Sequence, residues 1–268
     1  MFRWRATKET SLLLCLDIGN SQIFGGVYDD EAVKTTFRRT SSIRASSDEY
    51  GMFFRSMLRE NSIAPEQIHM ASLCSVVPDV LHSVRGCFQK YFRFEPFVLQ
   101  PGVKTGLKIR YRNPLEVGSD KIANSLGALS LFPGRNLLIA DFGTATTLCA
   151  VGKDKEYLGG IITPGIHISM SALESRTARL PAVEIVRPAE ILGRSTVESI
   201  QSGLYYGALA TVRSLAALVT KEHFAGDPPL VVATGGFGRL FENEDVFDSF
   251  VHDLPLIGLR RAHELSRV

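Results

Sequence analysis

Leu12-Leu13-Leu14-Cys15-Leu16-Asp17-Ile18-Gly19-Asn20-Ser21 is an apolar run that stops at an acidic residue, a glycine and two short polar residues. The chain turns apolar again at Ile23-Phe24-Gly25-Gly26-Val27-Tyr28. A short apolar run bounded by glycine reads as a buried strand, a tight turn and a returning strand. Roughly half a chain later the pattern comes back. Leu137-Leu138-Ile139-Ala140 runs into Asp141-Phe142-Gly143-Thr144-Ala145-Thr146-Thr147, and Leu148-Cys149-Ala150-Val151 follows. One Asp-x-Gly at a strand end is ordinary turn chemistry. Two copies at that spacing imply an internal duplication and two similar domains, divided here as residues 1–130 and 131–268.

Outward from these turns, strand and helix signals alternate. Ser46 and Glu49 form a capping box ahead of a helix through Tyr50–Leu58. A strand over Met70–Val77 meets Pro78, which suits a helix start, and Val80, Leu81, Val84, Phe88 and Tyr91 follow at helical spacing. Further strands are expected over Phe94–Leu99, into Gly159-Gly160 and over Leu230–Ala233. Helices are expected from Gly118 to about Leu131, from His167 to Leu180 and from Ser195 towards Phe224. Alternation of this kind defines an α/β class with mixed sheets.

Composition narrows the function classes. With 45% apolar and 22% charged residues in 268, the chain has the balance of a globular protein. Thirty basic against 28 acidic residues leave a net charge of +2, which argues against a nucleic-acid or membrane partner and favours a small polar ligand. Cys15, Cys74, Cys87 and Cys149 lie far apart with no C-x-x-C pair, which reads as buried reduced thiols and a cytoplasmic protein. The basic N-terminus leads into only five apolar residues before Asp17, which make a core strand rather than a secretion signal.

The turns also carry chemistry. Glycine lets backbone N–H groups approach phosphate oxygens, and Asn20, Ser21, Thr144, Thr146 and Thr147 add short donors around them. A carboxylate cannot bind phosphate directly, so Asp17 and Asp141 imply cations between them and the phosphates, Mg²⁺ or a monovalent ion. Thr234-Gly235-Gly236-Phe237-Gly238 is a third glycine turn at a strand end, placed to floor a nucleotide. Asp120 stands at a helix N-terminus, where it is either a cap or the proton acceptor that phosphoryl transfer to a hydroxyl requires. Lys121 is either a solvated charge or a partner for the transferring phosphate.

These residues together resemble the type III pantothenate kinases, also described as Bvg accessory factor proteins, within the superfamily of acetate and sugar kinases, heat-shock chaperones and actin. The resemblance covers most of the chain. It rests on Asp17-Ile18-Gly19-Asn20-Ser21, Ser75-Val76-Val77-Pro78, Tyr111 with Asn113-Pro114, Gly118-Ser119-Asp120-Lys121 and Asp141 through Thr147. Gly159-Gly160-Ile161-Ile162, Pro164-Gly165, Arg176 through Pro181, Ser195 through Ser199 and Ala233-Thr234-Gly235-Gly236 extend it.

The resemblance implies two duplicated actin-like (ribonuclease H-like) domains and ATP-dependent phosphorylation of pantothenate to 4′-phosphopantothenate, the first committed step towards coenzyme A. It implies ATP binding by Asp17, Ile18, Gly19, Asn20, Ser21, Gln22, Ile23, Phe24 and Thr144. Mg²⁺ would accompany ATP, and Asp141 would hold K⁺ or NH₄⁺. Pantothenate would be contacted by Tyr111, Gly118, Ser119, Asp120, Lys121 and Thr196, with Asp120 as the base, in a homodimer. Three positions depart from the family: Ser21 replaces Thr, Ser119 replaces Ala, and Lys121 replaces Arg, losing a planar two-point donor. Phosphate turns do not encode the acceptor, so a kinase of another small hydroxylated acceptor stays open. So does a non-catalytic regulatory accessory protein.

Overall fold

The computed structural model describes residues 11–267, and the basic stretch before Ser11 lies outside them. The chain opens with β1 (Leu12–Ile18), β2 (Gln22–Asp29), β3 (Ala32–Thr40), α1 (Ser47–Glu60), β4 (Ile68–Ser75), α2 (Pro78–Cys87) and β5 (Phe97–Leu99). Next come β6 (Lys108–Ile109), α3 (Ser119–Leu131), β7 (Leu137–Phe142), β8 (Ala145–Gly152) and β9 (Glu156–Pro164). Then follow α4 (Ile166–Arg176), α5 (Thr196–His223), β10 (Leu230–Thr234), β11 (Ser249–Phe250) and α6 (Leu254–Leu265).

The chain packs as two compact units whose bounds differ from the linear halves 1–130 and 131–268. The first unit holds the described residues through Thr105, then Val117–Ala123 and the chain from Pro255; the second holds Gly106–Glu116 and Asn124–Leu254. The last helix explains much of the difference. Leu256, Leu259 and Ala262 on α6 are buried. The Ser72 hydroxyl on β4 donates to the Leu259 carbonyl at 2.8 Å, and Arg260 pairs with Glu31 at 3.5 Å. An apolar helix face near the chain end thus covers the first sheet.

Each unit is built on one mixed sheet, and the two sheets share a plan. The first has the order β3-β2-β1-β4-β5. There β1, β2 and β3 form an antiparallel meander, and β4 and β5 add in parallel on the other side of β1. The second runs β11-β10-β7-β8-β9-β6. Here β7, β8 and β9 are the meander, β10 and β11 are the parallel additions, and β6 is an extra edge strand on β9. The duplication read from the two Asp-x-Gly copies is therefore a duplication of strand order and pairing sense.

Local signals account for most elements. Helix α1 begins with the expected capping box: the Glu49 N–H donates to the Ser46 hydroxyl, and the Ser46 N–H donates to the Glu49 carboxylate. Pro78 opens α2, where its missing N–H costs nothing. Helix α4 stops at Arg176 rather than at Leu180, because Thr177 turns extended; its hydroxyl donates to the Leu173 carbonyl and accepts from the Leu180 N–H. The core of the first unit gathers Leu14, Leu16, Ile18, Phe54 and Phe88; that of the second gathers Leu138, Phe142, Leu204, Tyr205 and Phe241. Each such side chain contributes about 1.5–3 kcal/mol when fully buried. All four cysteines are buried and none forms a disulfide. Burial pushes the Cys87 thiol up to about 12 and raises Cys15 as well. Among the described residues no helix is long and apolar enough to cross a membrane.

Candidate active site

In the first unit, β1 delivers Asp17 to a turn that is exposed from Asn20 to Gln22. The Gly19 N–H donates to the Gln22 carbonyl at 3.0 Å, closing the turn. The Ser41 hydroxyl, just past β3, donates to the Gly19 carbonyl at 2.6 Å and ties it down. Ile18, Ile23 and Phe24 are buried in the core, so any ligand contact they make is through backbone. Asp17 is in register with Cys74 on β4, and the Cys74 thiol donates to Asp17 Oδ1 at 3.2 Å. Burial first, and the Asp17 charge next, push that thiol well above the ordinary range; the Asp120 charge adds to the shift. Asp17, Cys74 and Asp120 therefore share one electrostatic neighbourhood.

Asp120 is the second residue of α3, in the same unit. The Lys121 and Ile122 N–H groups donate to the Gly118 carbonyl, which starts the helix. A Cβ on Gly118 would fall 2.3 Å from Asp120 Oδ1, so the carboxylate folds back into space that only glycine leaves open. The buried Ser119 hydroxyl both accepts from the Ser75 N–H at 3.1 Å and donates to the Ser75 carbonyl at 2.9 Å. It clamps the first turn of α3 to the end of β4. Lys121 Nζ stands 3.2 Å from Asp120 Oδ2, with its side chain only 19% exposed. It is a paired charge rather than a solvated one.

The second unit repeats the strand–turn arrangement with Asp141 and Thr144. Asp141 Oδ2 accepts from the Asn124 amide at 2.9 Å. Its register partner on β10 is Thr234. Asn124 and Thr234 are 4% and 1% exposed, yet Asn124 Oδ1 and Thr234 Oγ1 have no hydrogen-bond partner among the described residues. Glycines press on this turn from two sides. Gly235 has φ +96°, and a Cβ there would lie 2.5 Å from Asp141 Oδ1; one on Gly165 would lie 2.2 Å from the Thr144 carbonyl oxygen. Tyr111, just beyond β6, is 39% exposed with its ring 6.3 Å from that of buried Tyr157. Thr196 is the exposed first residue of α5, behind the Ser195 cap, whose hydroxyl accepts from the Glu198 N–H.

The first unit thus gathers the Asp17–Phe24 turn with Gly118, Ser119, Asp120 and Lys121, while Tyr111, Asp141, Thr144 and Thr196 belong to the second. Sequence reasoning did not reach Cys74, Ser41 or Asn124. Cys74 and Ser41 act across strand pairings that leave no local trace, whereas Asn124, four residues after Asp120, carried a helix-face signal. The residues present suit the cations that the turns imply. Asp141 offers a hard carboxylate beside Asn124, whose amide donates to it, and its register partner Thr234, and each of these two carries a buried oxygen with no hydrogen-bond partner among the described residues. No group of three or more His, Cys, Asp or Glu among the described residues is arranged to hold a metal.

Two duplicated sheets of this strand order, each with a carboxylate-bearing glycine turn after its first strand, define an actin-like α/β protein. The fold is shared with a Baf family protein from Campylobacter jejuni described as a transcriptional activator, at TM-score 0.60 and 18% identity over 94% of this chain and 97% of that one. It is shared also with a protein from Sinorhizobium meliloti described as a 2-dehydro-3-deoxygalactonokinase, at TM-score 0.53 and 13% identity over 94% and 96%. Within that class the type III pantothenate kinase family model matches residues 13–218. The type III pantothenate kinase of Legionella pneumophila strain Corby is 51% identical over 94% of this chain and 98% of its own. The chain belongs to the type III pantothenate kinase family.

Proposed function

We propose that the chain transfers the γ-phosphoryl group of ATP to the primary hydroxyl of pantothenate, giving 4′-phosphopantothenate and ADP on the way to coenzyme A. The observation that carries this reading is the first turn of α3. Asp120 is folded back over Gly118, paired with Lys121 and fastened through Ser119 to β4, the strand whose Cys74 touches Asp17. A carboxylate so held accepts the proton of the attacking hydroxyl as the O–P bond forms. The Lys121 ammonium steadies that carboxylate.

The backbone N–H groups and short side chains of Asp17 through Phe24, with Thr144, hold the nucleotide phosphates. Asp17 would face Mg²⁺ accompanying ATP, and Asp141, with Asn124 and Thr234 beside it, would hold K⁺ or NH₄⁺. When bound, these cations neutralise phosphate charge. Tyr111, Gly118, Ser119, Lys121 and Thr196 orient pantothenate. The exposed apolar residues Ile191, Leu192 and Val197 beside Thr196 support a homodimer. Four buried cysteines outside any disulfide and a biosynthetic role support a cytoplasmic setting.

An ATP-coupled assay across pantothenate, sugars and no acceptor tests the reading. ADP release dependent on pantothenate is expected. Equal turnover with a sugar points to another acceptor, and none with any acceptor to an accessory protein. Omitting K⁺ and NH₄⁺ should slow the reaction; equal rates would remove the cation from Asp141. A monomeric mass at micromolar protein with full activity would remove the homodimer.

A further inference from the structure

Asp17 has an unusual neighbour for a carboxylate in a phosphate turn. Strands β1 and β4 run parallel with Asp17 opposite Cys74, and registered residues on adjacent strands point to the same face of a sheet. The pairing therefore forces a thiol against the carboxylate. Cys74 is fully buried, its sulfur lies 3.2 Å from Asp17 Oδ1, and the contact links residues 57 apart in sequence.

We propose that Cys74 is a positioning residue for phosphoryl transfer: its S–H fixes the rotamer of Asp17 at the strand end and so sets where the nucleotide's cation is held. The proposal rests on the reading of Asp17 as a cation-facing carboxylate of the ATP turn. A thiol suits this task because it supplies a hydrogen bond without a charge. Lysine or arginine in the same place would neutralise the carboxylate and compete with the cation. Cys74 acts through Asp17 and touches neither substrate.

The equivalent position of the second unit argues that the slot has a use. Thr234 is in register with Asp141, as Cys74 is with Asp17, but its hydroxyl has no hydrogen-bond partner among the described residues and the Asn124 amide holds that carboxylate instead. The register alone does not create the bond. In the first unit the sulfur makes it.

The test compares full-length Cys74→Ala, Cys74→Val, Cys74→Ser and Asp17→Asn with the parent in kcat, KM for MgATP, KM for pantothenate and thermal midpoint. Because a thiol is a weak donor, removing its hydrogen bond should raise KM for MgATP about three- to tenfold in the alanine and valine variants, with KM for pantothenate unchanged. Serine keeps a donor and should recover most of the loss. Parent-like KM for MgATP in folded Cys74→Ala would overturn the proposal. Serine behaving like alanine, or both KM values rising together with a lowered midpoint, would do the same, since either marks a packing effect. If alanine does not fold, serine, close to cysteine in size, against valine, which leaves no cavity, carries the same comparison. Asp17→Asn separates the two layers. A raised KM for MgATP there beside a normal Cys74→Ala rejects only the role of Cys74, whereas no change in Asp17→Asn rejects the reading of Asp17 and the proposal with it.

Discussion

Asp17 and Asp141 occupy equivalent places, each near the end of the first strand of a meander and each beside a parallel strand added on its other side. Their surroundings have diverged. The Asp17 turn shows Asn20, Ser21 and Gln22 to solvent, is tied down by Ser41, and takes a thiol hydrogen bond on its carboxylate. The Asp141 turn is closed in by Gly235 and Gly165 and takes an amide hydrogen bond from a helix. Duplication preserved strand order and register, which the sheet hydrogen bonds enforce. It left free the side chains that touch the carboxylates. One copy became an open loop rich in donors and the other a carboxylate in a closely packed turn.

The largest expected effect lies in the first unit. Asp120→Asn keeps the size and the capping ability of the side chain but removes the proposed proton acceptor, so kcat should fall ~10²–10⁴-fold with ATP affinity little changed. Asp141→Asn should instead alter the dependence on monovalent cation. Near-normal turnover in well-folded Asp120→Asn would break the division of labour between the two carboxylates.

Next in size is the packing around the second turn. Gly235→Ala meets Asp141 Oδ1 and the Phe142 backbone at φ +96°, where backbone strain alone costs ~1–3 kcal/mol. Gly236→Ala meets nothing within 4 Å and should be tolerated. Denaturant unfolding of the pair measures the difference, and equal stabilities would mean that the turn is not closed in as described.

A smaller loss is expected for Asn124→Ala, which strips the amide from Asp141; hydrogen bonds to charged groups contribute ~1.5–3 kcal/mol, and part exposure of Asp141 places this one at the low end. The half-saturating K⁺ concentration should rise, while KM for MgATP should not. The reverse pattern would assign Asn124 to the nucleotide. Smallest is Ser119→Ala, which removes the clamp between α3 and β4. It should lower stability by ~0.5–1.5 kcal/mol and kcat by no more than a few-fold. A loss as deep as that of Asp120→Asn would make Ser119 part of the chemistry.

Much of this was legible along the chain. The two Asp-x-Gly copies marked strand ends, the duplication and both carboxylates; Ser46 with Glu49 and Pro78 marked helix starts. β3 went unread because none of its positions is buried and both its half-buried and its exposed positions mix threonine with arginine, and β6 and β11 because two residues carry no period. Helix α6 lies in a stretch with no glycine or proline signal before Pro255, and its place on the first unit depends on Ser72 and Glu31, far away in sequence.

The sequence by itself determined the turns, the α/β class, the family resemblance and the acids that stand at strand and helix ends, because turn chemistry and hydrophobic period depend on residues a few positions apart. Only the tertiary structure decided that Cys74 holds Asp17, that Asn124 holds Asp141, that Ser119 clamps Asp120 to β4 and that the last helix returns to the first unit. Those pairings are set by register between strands and helices distant along the chain, and such hydrogen bonds leave no local pattern to read.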